Sequence, residues 1–168
     1  MNGTNVRPLT GAIDLRLSLP PDWPKADALA ILAKHVATVA FDDADLSDTL
    51  GIVAGELMEN AIKYGNWSDG DACLTFSLSW RGDELEIDVS CPSDPASAHY
   101  ERLMMVLQKI EKSDTRDSYL ERLARIAQDR CERGGLGLLR LAHEANCLLR
   151  ARLVEERLHV QARMKIAR

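Results

Sequence analysis

Apolar and polar residues alternate from Ile13 to Leu19, with Ile13, Leu15, Leu17 and Leu19 on one side and Asp14, Arg16 and Ser18 on the other. A period of two predicts a half-buried strand over about 12–19. Pro20, Pro21 and Pro24 end it, because proline cannot donate to a ladder. Pro24 suits the first turn of a helix, predicted over about 24–40. Ala28, Ile31, Leu32, His35, Val36 and Val39 are expected on one side of that helix. Asp42, Asp43 and Asp45 form an acidic turn, which favours the positive end of the following helix, about 45–64. Leu46, Leu50, Val53, Leu57, Ala61 and Tyr64 give this second helix an apolar stripe.

Two more alternating runs follow. Leu74, Phe76, Leu78 and Trp80 make one, and Leu85, Ile87 and Val89 the other, with Arg81-Gly82-Asp83 as the hairpin turn between them. The prolines in Cys91-Pro92-Ser93-Asp94-Pro95 take the chain out of the sheet. Helical spacing then returns twice. Tyr100, Leu103, Met104, Leu107 and Ile110 predict a helix over about 96–111, and Tyr119, Leu120, Leu123, Ile126 and Ala127 one over about 115–131. Ser113-Asp114 separates them. Gly134-Gly135-Leu136-Gly137 leads into a helix at about 136–146. A final hairpin pairs Leu149, Ala151 and Leu153 with Leu158, Val160, Ala162, Met164 and Ile166, turning at Glu155-Glu156.

The order is β-α-α-β-β-α-α-α-β-β, with helices grouped between strand pairs. It predicts an α/β (α+β) fold: a two-layer sandwich whose mixed, mostly antiparallel sheet carries helices on one face. Residues 12–168 read as a single domain with a helical insert at about 96–131, and residues 1–11 as a flexible tail.

With 168 residues and 46% hydrophobic content, the chain can bury a sizeable core. A net charge of −5 and a pI of about 5.4 argue against a nucleic-acid binder. No apolar run reaches membrane-spanning length, and Met1–Thr10 contains no signal-peptide core, so a cytoplasmic, non-membrane protein is expected. Cys73, Cys91, Cys131 and Cys147 are scattered without a C-x-x-C pair, so zinc is not expected and reduced thiols are.

The chemistry concentrates in Gly55-Glu56-Leu57-Met58-Glu59-Asn60-Ala61-Ile62-Lys63-Tyr64-Gly65. Glu56, Asn60 and Lys63 fall at i, i+4 and i+7 and share a helix face. One Asn oxygen could ligate Mg²⁺, which keeps several waters and is completed by phosphates. A nearby Glu could deprotonate a hydroxyl. The same residues equally describe a solvated face and ordinary helix-end chemistry. Gly134, Gly135 and Gly137 would let the backbone approach a phosphate at a helix N-terminus, or would simply reverse the chain.

Taken together, the Glu-x-x-x-Asn-Ala-x-Lys-Tyr-Gly helix and the later Gly-Gly-x-Gly-Leu helix start resemble the ATPase superfamily of gyrase, histidine kinases and MutL proteins, the Bergerat (GHKL) fold. The resemblance covers about residues 12–166. Small size and the lack of a histidine-phosphotransfer domain look most like the anti-sigma-factor serine kinases of bacterial partner-switching systems, with a helical insert replacing the short ATP lid. The resemblance implies Glu56 as the general base, Asn60 as the Mg²⁺ ligand, Lys63 as a phosphate contact, and Gly134, Gly135 and Gly137 as phosphate-binding glycines. The family's adenine-reading aspartate is replaced: Cys91 stands about where it belongs, and no glycine follows. A thiol is a weak acceptor, so phosphate-led binding with little base discrimination is expected.

Two functions follow from this reading. One is a serine/threonine kinase that binds Mg-ATP and phosphorylates or sequesters a small regulatory partner, an anti-anti-sigma-like protein or a sigma factor. The other is a non-catalytic pseudo-ATPase module that captures its partner through the apolar helices at 96–131. The two Leu-rich helices there would also suit a homodimer.

Overall fold

Every second residue of three central strands is buried, and these residues form the floor of the core. The computed structural model describes residues 11–70, 72–112 and 136–166. The expected helix at 115–131 and most of the expected tail lie outside the described residues. The strands are β1 (Ala12–Leu19), β2 (Leu74–Arg81), β3 (Glu84–Pro92), β4 (Leu148–Val154) and β5 (Arg157–Lys165). They form one sheet in the order β1-β2-β3-β5-β4, and every neighbouring pair is antiparallel. Phe76 faces Val89 across β2 and β3, Ile87 faces Ala162 across β3 and β5, and Cys91 faces Leu158 at the end of the same pair.

The inward face carries Phe76, Leu78, Ile87, Val89, Val160 and Ala162, all buried. The opposite face is polar. There Arg163 donates to Glu86 at 2.8 Å, and His159 Nδ1 lies 3.0 Å from Asp88.

The helices are α1 (Trp23–Phe41), α2 (Ala44–Tyr64), α3 (Ala98–Lys112) and α4 (Leu136–Glu144). The acidic turn serves as a cap: Asp43 accepts from the Leu46 amide at 2.9 Å. Helix α2 packs on the sheet through the expected stripe, with Leu50, Val53, Leu57 and Ala61 all buried.

Helix α1 matches its expected orientation only in part: Leu32 and Val36 pack against the core, but the fully buried residues are others. Its buried residues are Ala26, Leu29, Ala33 and Ala37, whereas Ile31 is 57% and Val39 89% exposed. The reason is close approach of α1 to α2. A side-chain carbon on Gly51 would lie 3.4 Å from the Ala30 carbonyl, and one on Gly55 would lie 3.6 Å from Ala30 Cβ. Only a face of small residues fits so near a neighbouring backbone.

Candidate functional site

Three elements converge on the C-terminal half of α2. The first turn of α4 reaches it from one side, α3 from another, and the ends of β3 and β5 lie beneath. Each follows from local sequence. Helix α3 starts where the prolines release β3, and its first turn is held by Ser97, whose hydroxyl accepts from the Tyr100 amide at 3.2 Å. Helix α4 follows the glycine segment, of which Gly137 is described and Gly134 and Gly135 are not.

Glu56 is paired. Its Oε1 accepts from Arg140 Nη2 at 2.6 Å, a bond between residues 84 positions apart that joins α2 to α4. Its Oε2 rests so close to Gly137 that a side-chain carbon there would overlap it. The Arg140 Nε is buried and has no hydrogen-bond partner among the described residues. The Glu144 carboxylate lies 4.0 Å from it, beyond hydrogen-bond reach.

Asn60 lies one turn on. Its amide nitrogen donates to the Glu56 carbonyl at 2.7 Å, which leaves the side-chain oxygen for another partner. Asn60 lines a cavity of about 30 Å³ together with Leu57, Tyr64, Cys91, Ser93 and Leu138. His99, Tyr100 and Leu103 of α3 complete its wall. The rings of Tyr64 and His99 lie 5.1 Å apart. A volume of that size holds about one water, whereas small-molecule pockets run to about 300–1,000 Å³. A wider groove of about 660 Å³ runs along the other side of α3, against Ala142, Cys147 and Leu149, and touches none of the candidate residues.

Lys63 is not brought to the same place. It pairs with Glu59 at 3.2 Å and stands over the Trp23 ring. The shared helix face is real at the level of Cα positions, but the side chains diverge toward partners from different elements.

Cys91 lies at the cavity floor and is buried, and burial pushes its thiol up to about 11 against a small opposing effect of Arg157. Arg157 ties this end of the sheet together by donating to the carbonyls of Cys73 at 2.8 Å and Ser90 at 3.2 Å. Arg140 and His99 were not singled out from sequence, and Tyr100 only as part of the apolar stripe of α3. For Arg140 a signal existed, since it lies three residues after Gly137 and so on the same face of α4.

No protein-family model matches the chain, and no curated protein matches it. Among solved structures, a chain in the crystal structure of the SiaB–SiaC complex from Pseudomonas aeruginosa has the same fold. The TM-score is 0.66 at 17% identity, over 89% of this chain and 88% of that one. Among the described residues, no helix is long and apolar enough to cross a membrane.

Proposed function

We propose that this protein is a partner-switching regulator of the Bergerat-fold type, which binds Mg-ATP beside α2 and α4 and phosphorylates a small partner protein. The observation that carries the reading is the approach of the first turn of α4 to one stretch of α2: Gly137 against Glu56, and Leu138 beside Asn60 at the cavity. A glycine at a helix start next to a carboxylate and a carboxamide is a donor set that suits a Mg-nucleotide. Similarity in fold to a chain of a two-protein complex agrees with a target that is itself a protein. Fold alone does not set function, so the residues must support it.

The residues fit the ion. The free oxygen of Asn60 would hold Mg²⁺, which when bound neutralises phosphate charge. Glu56 would accept the proton of a serine or threonine hydroxyl. As that oxygen bonds to the γ-phosphorus, the bond to the bridging oxygen breaks and ADP leaves. The base has no room while α3 stands where it does, so α3 must withdraw His99, Tyr100 and Leu103 before a nucleotide can enter.

A second reading is favoured by that same closed cavity and by Cys91: partner capture without nucleotide. Calorimetry with ATP, ADP and GTP in Mg²⁺, followed by transfer of labelled phosphate to a co-purified partner, separates the two. For a kinase, Glu56→Gln retains nucleotide binding and loses transfer by about 10²–10⁴-fold, and Asn60→Ala weakens Mg-nucleotide binding. No binding heat and no transfer, with capture intact in both variants, leaves the capture module.

A further inference from the structure

The pair between Glu56 and Arg140 bears on how such a site would be controlled. One oxygen of Glu56 accepts from the guanidinium, and the other packs against the backbone of Gly137 without a hydrogen bond from it. Turned toward Arg140 and packed against Gly137, the carboxylate is oriented away from a hydroxyl on a partner protein until that bond is exchanged. Arg140 faces two carboxylates, Glu56 at 2.6 Å from Nη2 and Glu144 at 4.0 Å from Nε. Its side chain is 39% exposed, against 22% for Glu56, and its Nε has no hydrogen bond among the described residues. A buried donor without a partner is unfavourable, and a planar guanidinium can donate through Nε and Nη together to two oxygens of one phosphate.

We propose that Arg140 is a shared cation. It holds Glu56 while no nucleotide is bound, and it pairs with the terminal phosphate of a nucleoside triphosphate in the loaded site, which releases the Glu56 carboxylate. The inference rests on the reading of Glu56 as the base of a nucleotide site. It adds that Arg140 contacts the terminal phosphate and that the base is uncovered only when a triphosphate is present. The placement of Arg140 supports this, since Gly137 and Arg140 meet Glu56 from the same face of α4. The competition is electrostatic: two anions contend for one guanidinium, and a triphosphate carries more charge than a carboxylate. A diphosphate lacks the terminal group and should leave the Glu56 pair in place.

The test is calorimetry on the full chain with ATP and ADP in Mg²⁺, using wild type, Arg140→Ala, Arg140→Lys, Glu56→Gln and the double variant Glu56→Gln/Arg140→Ala. Arg140→Ala is expected to weaken ATP about tenfold or more and ADP less than about twofold, with Arg140→Lys recovering part of the loss because it keeps the charge without the fork. Glu56→Gln is expected to tighten ATP about threefold or more by removing the competing anion, and this gain should vanish in the double variant. Thermal unfolding of the same four variants without nucleotide should show Glu56 and Arg140 coupled in the empty protein. Equal losses for ATP and ADP in a folded Arg140→Ala protein would overturn the inference. So would a Glu56→Gln gain that persists without Arg140. If wild type binds nucleotide and both Arg140 variants match it, this inference falls alone. If wild type binds neither nucleotide, it falls together with the nucleotide reading.

Discussion

Lys63 Nζ stands 5.6 Å from the centre of the Trp23 ring and 3.2 Å from the Glu59 carboxylate. Both contacts lie on the exposed side of α2, where a cation over an aromatic face contributes about 0.5–1 kcal/mol and an i,i+4 pair about 0.3–0.5 kcal/mol. Lys63→Ala is therefore expected to lower stability by about 1.5 kcal/mol or less and to leave ATP affinity within about twofold. Urea unfolding and calorimetry check the two halves. A tenfold loss of ATP affinity would bring Lys63 into the site.

Helix α3 spends its apolar side inward. Leu107 is buried, and Leu103 packs against the core and the cavity, while Met105 faces outward at 70% exposure. Leu107 is therefore core rather than a capture surface, and Leu123 lies outside the described residues. Leu107→Asp should cost several kcal/mol, on the order of 3 or more, by placing a charge among apolar neighbours. Leu103→Ala should cost about 1–3 kcal/mol and enlarge the cavity beside Asn60. If α3 must withdraw for a nucleotide to enter, Leu103→Ala should also speed ATP association, which stopped-flow mixing would measure.

The β4–β5 turn is strained. Glu155 has φ 48° and Glu156 φ 59°, two left-handed residues in a row where hairpins prefer Asn-Gly. The Glu156 carbonyl accepts from the Ser93 amide at 2.9 Å, so the turn is tied to the strand end beneath the cavity. Glu156→Gly removes the Cβ conflict and keeps that backbone bond. A gain of about 0.5–1 kcal/mol is expected, after the greater freedom of glycine in the unfolded chain is subtracted. An unchanged or lower urea midpoint would count against strain here.

Burial raises the thiols of Cys91 to about 11 and Cys147 to about 12, from 9.0. At pH 8, a group at about 11 carries about 100-fold less thiolate than one at 9.0. Alkylation by iodoacetamide should thus be slow at both positions in the folded protein and fast in urea. The stability consequence has a definite sign. The folded state holds these protons more tightly than the unfolded state does, so the contribution is full below pH 9 and is lost as pH rises through 11 and 12. Unfolding free energy should fall above pH 9, and less steeply in Cys91→Ala. A rise in stability over that range would contradict the burial of these thiols.

Much of the fold was legible because strands and helices bury faces with different periods. The run Ile13 to Leu19 matches β1, the Asp42–Asp45 cluster marks the start of α2, and the order of elements leads to the two-layer sandwich. The sheet, expected to be mostly antiparallel, is antiparallel at every neighbouring pair. The α1 face was read correctly only at Leu32 and Val36, which pack against the core, because apolar residues lie on more than one side of that helix. Which residues are buried depends on the neighbour, and the close approach of Gly51 and Gly55 to Ala30 turns Ala26, Leu29, Ala33 and Ala37 inward.

The candidate site divides in the same way. Sequence alone determined that Glu56 and Asn60 lie one turn apart on a helix and that a glycine segment opens another. Those are local matters, set by the 3.6-residue repeat and by the backbone freedom of glycine. Tertiary structure decided what each side chain meets. It paired Glu56 with Arg140, drew Lys63 to Trp23 and Glu59, and filled the space beside Asn60 with His99, Tyr100 and Leu103. No spacing rule reaches across 84 residues. Long side chains follow the nearest opposite charge or apolar surface, and only the packing of α3 and α4 against α2 creates those neighbours.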